Sequence, residues 1–146
     1  MELLTELPFS ELVAKFEKGR IGSVKFIPQE PGRLGPRFHW DHGKVVVMDM
    51  NDTYKEMAIE GTHMRNPQSL LWFHLAFANE GSDDVYQVAM TALDKFDGDL
   101  ALTANSNHLL FERVDGKLTV DRSYVPEERR KLFKQPYELT DFPPLP

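Results

Sequence analysis

The segment "LALTANSNHLLFERVDGKLTVD", Leu100–Asp121, decides the fold class of this 146-residue chain. Three strand-like runs, at 100–104, 108–114 and 117–121, are separated by Asn105-Ser106-Asn107 and by Asp115-Gly116. Asp-Gly between such runs is a strong signal for a two-residue hairpin turn. The segment therefore predicts three consecutive antiparallel strands, a meander.

The strongest helical pattern lies directly before this meander, at Ser82–Phe96, and Gly98 follows as its stop. Its apolar positions recur at helical spacing and form one stripe, which comprises Val85, Val88, Ala89, Ala92, Leu93 and Phe96. Asp83 and Asp84 are placed in the predicted first turn, where they complement the helix dipole. We expect the meander to pack on this stripe.

Elsewhere, the helical and strand patterns do not alternate regularly. Helical patterns occur at 9–16 and after Pro126, and strand patterns at 21–28, 44–50 and 70–78. In the last strand, Leu71, Phe73, Leu75 and Phe77 fall on one face. Residues 28–36 are predicted to be a loop, and 51–67 to be irregular with one helical turn near Tyr54–Ile59. The fold class is therefore α+β, a single globular domain over residues 1–146 with a largely antiparallel sheet, one main helix and one or two shorter ones.

Composition excludes several kinds of function. The net charge of −6 argues against a nucleic-acid partner, because phosphate binding needs an excess of Lys and Arg. The absence of cysteine excludes disulfides, thiolate catalysis and cysteine-ligated metals. The first residues lack a basic, then apolar, signal sequence, and the most apolar segment, Ser69–Ala78, is too short to span a bilayer. We expect a cytoplasmic protein with no membrane partner.

A histidine-rich stretch, "RFHWDHGKVVVMD" at Arg37–Asp49, is the main candidate for chemistry. Read as a hairpin with His42-Gly43 at the turn, it places Trp40 opposite Val45 and Phe38 opposite Val47. Both aromatic rings then face inward with the valines, and His39 faces outward. The hairpin accounts for these positions without a ligand.

Metal binding or catalysis at this hairpin is the alternative reading. His39, Asp41 and His42 would supply at most three ligands on a flexible tip, with no second histidine pair nearby. We therefore expect no metal, no cofactor and no catalytic residue, and a small hydrolase that uses His39 and Asp41 is the less favoured alternative.

Negative charge is concentrated at residues 80–99, where six acids stand against Lys95 alone. At 100° per residue, Asp83, Gln87 and Asp94 lie opposite the apolar stripe, with Tyr86 and Met90 on one shoulder. An acidic face edged by an aromatic ring and a methionine can anchor a basic protein partner. We predict this set as the partner-binding surface; the alternative is an ordinary solvated helix face.

The second half of the chain resembles the closing block of the Sit-type (swarming-inhibition) immunity proteins of bacteria. That block has a helix, a Gly-Asp-led strand, an Asn turn, a hairpin with Asp-Gly, and a terminal Pro-Tyr-Glu followed by prolines. The matching positions are Gly98, Asp99, Ala101, Leu102, Asn105, Arg113, Gly116, Leu118, Pro136, Tyr137 and Glu138. The first half, including Phe38–Gly43, matches nothing in this comparison.

The resemblance implies a cytoplasmic antitoxin that binds and neutralises a toxin delivered by neighbouring cells. It implies no catalytic residues. The leading hypothesis is thus a non-enzymatic immunity protein with a cognate toxin as its partner, and a non-enzymatic adaptor module remains the alternative.

Overall fold

A computed structural model describes residues 1–76, 78–105 and 107–145, with only the backbone given at residues 78 and 79. In these ranges the chain forms four helices, a nine-stranded sheet and a small two-stranded ribbon, which confirms the α+β class. The helices are α1 (Phe9–Glu17), α2 (Asp52–Gly61), α3 (Ala78–Lys95) and α4 (Glu127–Arg130). The strands are β1 (Glu2–Thr5), β2 (Arg20–Ile21), β3 (Val24–Lys25), β4 (Ile27–Gly32), β5 (Gly35–Trp40), β6 (Gly43–Asp49), β7 (Ser69–Leu75), β8 (Leu100–Ala104), β9 (His108–Val114), β10 (Lys117–Asp121) and β11 (Tyr137–Thr140).

The large sheet has the strand order β11-β10-β9-β8-β1-β7-β6-β5-β4, and β2 pairs with β3 in the ribbon. Strand β1 lies at the centre and pairs antiparallel with both β7 and β8, so it joins the two halves of the sheet. Because β7 and β8 run in the same direction on either side of β1, they need a crossover connection, which α3 supplies.

The meander has the predicted strand boundaries, with β8, β9 and β10 paired antiparallel in sequence order. Asp115 and Gly116 both have positive φ, at 52° and 78°, as a type I′ hairpin turn requires. In the other turn, Asn105 has φ 52°, and Ser106 lies outside the described residues.

Helix α3 begins at Ala78, four residues before the predicted start, so Asp83 and Asp84 lie in its second turn and the predicted first-turn position was wrong. All six stripe residues are buried, in one cluster with the apolar side chains of the meander, which confirms the predicted packing. The helix ends where Arg113 of β9 donates to the carbonyls of Leu93, Phe96 and Gly98, at 2.6 to 3.2 Å. This guanidinium satisfies carbonyls that a helix end leaves without partners.

The two faces of the sheet are covered differently. The face that packs against α1 and α3, called the α3 face below, carries the larger apolar cluster. The opposite face, called the α2 face, is covered by α2 and by the C-terminal segment with Phe142 and Leu145. None of the helices in the described part of the chain combines the length and apolar character of a membrane span.

The sequence prediction was wrong in three places along the sheet. Strand β1 was not predicted, although it is central. The predicted strand at 21–28 is divided among β2, β3 and the start of β4, and the predicted loop at 28–36 contains most of the β4–β5 hairpin. Pro28 and Pro31 are tolerated in β4 because this strand is at the sheet edge and needs ladder donors on one side only.

The region 51–67 also differs from its prediction, because it contains the ten-residue helix α2. The Asn51 side chain caps this helix by accepting from the Tyr54 backbone N–H at 2.9 Å. Ala58 is the one buried residue described in this helix. The helix therefore has no apolar stripe that its sequence could show. Strand β7 ends at Leu75, and Phe77, predicted to share its inner face, lies outside the described residues.

Candidate partner-binding surface

The outer side of α3 has the predicted acidic residues in exposed positions. Asp83, Gln87 and Asp94 are exposed, opposite the buried stripe. The helical periodicity therefore placed these three side chains correctly, spaced over about three turns of α3.

Cations from the C-terminal part of the chain lie against this acidic surface. Arg129 contacts the Asp83 carboxylate at 2.8 Å, and Lys134 contacts that of Asp94 at 3.3 Å. The Lys134–Asp94 pair is exposed and contributes little to stability, whereas the Arg129 side chain of the other pair is only 24% exposed. Both cations reduce the local negative potential. The negative charge of residues 80–99 is therefore partly compensated by cations of the same chain. A partner would encounter a weaker negative field than the sequence of this segment indicates.

Tyr86 is not on the exposed shoulder, and this corrects its predicted placement. Its side chain is only 3% exposed, and the Arg129 guanidinium stacks over the ring at 4.5 Å from its centroid. Burial raises the pKa of Tyr86 to about 12. The periodicity misplaced this ring because the segment around α4 covers that side of α3. Met90 is half-buried and packs against the edge of the core.

The histidine hairpin meets α3 at one carboxylate, that of Asp84. Trp40 Nε1 donates to Asp84 Oδ2 at 2.8 Å, and His42 Nδ1 donates to the same oxygen at 2.6 Å. This hydrogen bond is the main reason that the pKa of His42 is raised above its usual value, and the charges of Asp84, Glu80 and Asp41 add to it. The sequence predicted only a helix-dipole role for Asp84. Its contacts with Trp40 and His42 were missed, because those residues lie more than forty positions earlier in the chain.

The hairpin register differs from its prediction by two residues. Trp40 pairs with Gly43 and Phe38 with Val45, so the turn is at Asp41-His42. Gly43 is needed inside the strand, because a Cβ there would press on the carbonyl oxygen of His74 and the Trp40 ring. Phe38, Trp40, Val45 and Val47 are nevertheless all buried on the α3 face, as predicted.

The residues proposed for a small hydrolase, His39 and Asp41, line the same open depression, but no hydrogen bond joins them among the described contacts. His39 lies on the α2 face, where its Nδ1 accepts from Gln29 Nε2 at 2.7 Å, while Asp41 is exposed in the turn. Over the described residues, no group of three His, Cys, Asp or Glu side chains could hold a metal ion. The absence of a metal at His39, Asp41 and His42 stays a prediction, which zinc titration of the purified protein can test.

His63 and His108 are separate from the hairpin, whereas His74 lies on the strand β7 that pairs with it. His63 contacts the buried Glu112 of β9, and His108 Nε2 donates to Asp121 Oδ2 at 3.3 Å. Burial acts to raise the pKa of Asp121, but backbone N–H donors and His108 outweigh it, and the pKa is lowered. His74 lies opposite Lys44 on the sheet, and its pKa is lowered, mainly by burial. These contacts connect loops and strands and do not form one centre.

The geometry thus defines an α+β protein whose candidate site is an open helix surface with surface ion pairs. The chain belongs to the SitI3-like family, whose model matches residues 2–129. This match supports the resemblance to the Sit-type immunity proteins. It includes the first half of the chain and ends before Pro136, so its extent does not coincide with the second half on which the resemblance was based. No match was found among curated proteins or among solved structures.

Proposed function

We propose that this chain is an immunity protein that binds a cognate toxin in the cytoplasm and neutralises it stoichiometrically, without catalysis. The observation that carries the proposal is membership of the SitI3-like family over residues 2–129, a family that indicates an immunity protein. An open surface as candidate site fits a function that consists of binding.

The contact surface we propose is the outer side of α3, with Asp83, Gln87 and Asp94 at its centre and Met90 at its edge. The carboxylates of Asp83 and Asp94 each have one cation of the same chain beside them, and both remain largely accessible, with side chains 71% and 45% exposed. A basic toxin could replace Arg129 and Lys134 as partner of these carboxylates. Complementary charge of this kind speeds association and disfavours wrong partners.

Co-expression tests the function directly. The chain is expressed with a candidate toxin, the product of the reading frame beside its own gene, and growth is measured while the ratio of the two proteins is varied. Stoichiometric neutralisation predicts protection only near or above one equivalent, together with a complex of fixed stoichiometry by light scattering. Protection far below one equivalent, or the absence of a complex, would contradict the proposal.

Charge reversal tests the contact surface. The double variant Asp83→Lys and Asp94→Lys replaces two attractive pairs by like charges beside Arg129 and Lys134, and should lower the free energy of unfolding by about 1–2 kcal/mol, chiefly at the largely buried Arg129. The rate constant for association with the toxin should fall by more than this loss of stability explains. It should also lose most of its dependence on salt, because the charge that attracts a basic toxin is reversed.

A matched control is Glu17→Lys with Glu30→Lys, which changes the net charge equally at exposed positions on other elements, α1 and β4. If both double variants slow association to the same degree, net charge and not the α3 surface controls binding, and the proposed contact is wrong.

A further inference from the structure

Helix α2 combines exposed apolar side chains with acidic ones. Three of its large side chains are exposed, namely Tyr54 at 42%, Met57 at 57% and Ile59 at 48%. Ala58 is the one buried residue described in this helix, so α2 contacts the sheet through a narrow strip. The remaining apolar surface of the helix is open to a partner.

A cavity of about 170 Å³ lies between α2 and the sheet, and Tyr54 and Met57 form part of its lining. The apolar residues that complete the walls are Leu4, Met50, Ala58, Leu70 and Leu145. Thr103 also lines the cavity, and its buried hydroxyl has no hydrogen-bond partner among the described residues. This wall of the molecule is therefore incompletely packed and incompletely hydrogen-bonded.

The volume of the cavity limits what can occupy it. Typical small-molecule sites have volumes of roughly 300–1,000 Å³, which is larger than this cavity. An apolar cavity of about 150 Å³ stays dry and accepts a single benzene ring. The size therefore suits one aromatic or aliphatic side chain.

Charge around the cavity indicates what flanks that side chain. Glu2 and Glu60 belong to its lining. Along α2 itself there are three acids, Asp52, Glu56 and Glu60, against Lys55 alone. A partner that inserts an apolar side chain here meets negative charge beside it, so Lys or Arg next to the inserted residue is favoured and Asp or Glu is disfavoured.

We propose that this cavity, called the α2 cavity, is an anchor site that takes one apolar side chain of the toxin, flanked by basic residues. The proposal rests on the proposed function, since it identifies the partner as the toxin. Anchors that fill a pocket at a protein interface contribute most of the binding energy, whereas surrounding contacts contribute little. The α2 cavity and the outer side of α3 lie on opposite faces of the sheet, so a toxin that uses both must extend around the sheet, and variants of each surface measure its contribution separately.

Short peptides test the chemistry of the cavity without the toxin. The protein is labelled with ¹³C at the methionine methyl groups and titrated with acetyl-Arg-Phe-Arg-amide, acetyl-Glu-Phe-Glu-amide and acetyl-Arg-Gly-Arg-amide. Only the first should shift the signals of Met50 and Met57 saturably, while Met90 on the α3 face serves as the internal control. Equal shifts with the Glu-flanked peptide, or none with the Arg-flanked one, would overturn the proposal.

Matched variants of α2 test the site in the complex. Tyr54→Ala removes a cavity-lining side chain, and Ile59→Ala removes one of similar exposure that does not line the cavity. We expect Tyr54→Ala to weaken toxin binding about 30-fold, as for a hot-spot residue, and Ile59→Ala to change it less than about threefold. In the same way, Glu60→Gln should weaken binding and Glu56→Gln should not.

These outcomes separate the two proposals. If the unmodified chain binds no toxin, the proposed function fails, and the peptide titration still decides whether the α2 cavity accepts a basic-flanked apolar side chain. If the unmodified chain binds and Tyr54→Ala binds equally well, with its folding verified by circular dichroism, the anchor site is refuted while the proposed function stands.

Discussion

On the α3 face, 27 of the described residues form one buried apolar cluster, whereas nine form the cluster on the α2 face. On the α3 face, the six stripe residues of α3 are buried, and Arg113 caps the end of this helix. The helix on the second face has one described buried residue and a cavity beneath it. Because burial of apolar area is the main stabilising term, the difference indicates that stability is concentrated on the α3 face. The α2 face is therefore the less tightly packed of the two.

The adjacent residues Leu71 and Leu70 give the largest expected contrast, because they point to opposite faces of β7. Leu71→Ala should lower the free energy of unfolding by about 4 kcal/mol, since it opens a new cavity in the dense cluster. Leu70→Ala should cost about 2–3 kcal/mol, because this side chain already borders a cavity and has fewer contacts to lose. Urea denaturation measures both. Equal costs would remove the energetic distinction between the two faces.

The caps of the two helices give the next largest contrast. Arg113→Met should lower the free energy of unfolding by about 2–3 kcal/mol, since it leaves the carbonyls at the end of α3 without their charged donor. Arg113→Lys should recover only part of this, because an ammonium group lacks the planar fork of donors. Thr62→Ala at the end of α2, where the hydroxyl donates to Ala58 at 2.7 Å, should cost about 1 kcal/mol. A larger loss for Thr62→Ala than for Arg113→Met would contradict the comparison.

The unpartnered hydroxyl of Thr103 predicts a smaller effect with the opposite sign. Thr103→Val should raise the free energy of unfolding by about 1 kcal/mol, because it removes a buried polar group that has no partner. Thr5→Val is the control, since that buried hydroxyl is hydrogen-bonded to Ser69 and accepts from the Leu7 N–H. Thr5→Val should destabilise by about 1 kcal/mol. If thermal unfolding shows the same sign for both variants, the Thr103 hydroxyl has a partner in solution.

The smallest expected effect is a pH dependence at the hairpin. The pKa of His42 is raised in the folded state, so its contribution to stability is complete below the ordinary value of 6.5 and is lost as pH rises through the raised pKa. Asp84→Asn should bring the His42 pKa back toward 6.5 and remove this dependence, as measured by NMR titration of the imidazole. Asp83, one residue earlier, pairs with Arg129 instead, so Asp83→Asn should leave the titration of His42 unchanged. A His42 pKa that is the same in Asp84→Asn as in the unmodified chain would show that the contact is not formed.

The hairpin at residues 37–49 shows why a prediction can be wrong in detail and correct in consequence. The register was wrong by two residues, because a polar-Gly pair was taken as the turn. Side chains alternate between faces with a period of two, so a shift of two leaves every side chain on its predicted face. A shift of one would have exposed Phe38 and Trp40.

The elements that were missed have little local signal. Strand β1 is a four-residue run whose last three residues are buried, and β4 contains two prolines, so neither shows the alternation that marks a half-buried strand. Strand β11 pairs parallel with β10, through a connection around α4. Residues as far apart in the chain as Leu118 and Tyr137 pair here, so no local pattern reports the contact.

By itself, the sequence determined the meander, the apolar stripe of α3 and the α+β class, because each depends on periodicity or turn chemistry within about twenty residues. Only the tertiary structure decided the partners of the site residues. Tyr86 is buried because Arg129 covers it, Asp84 joins α3 to Trp40 and His42, and the α2 cavity is formed by β1, α2, β7, β8 and Leu145. The physical reason is that burial and charge pairing depend on distance in space, whereas a sequence pattern reports only which side of its own helix or strand a residue occupies.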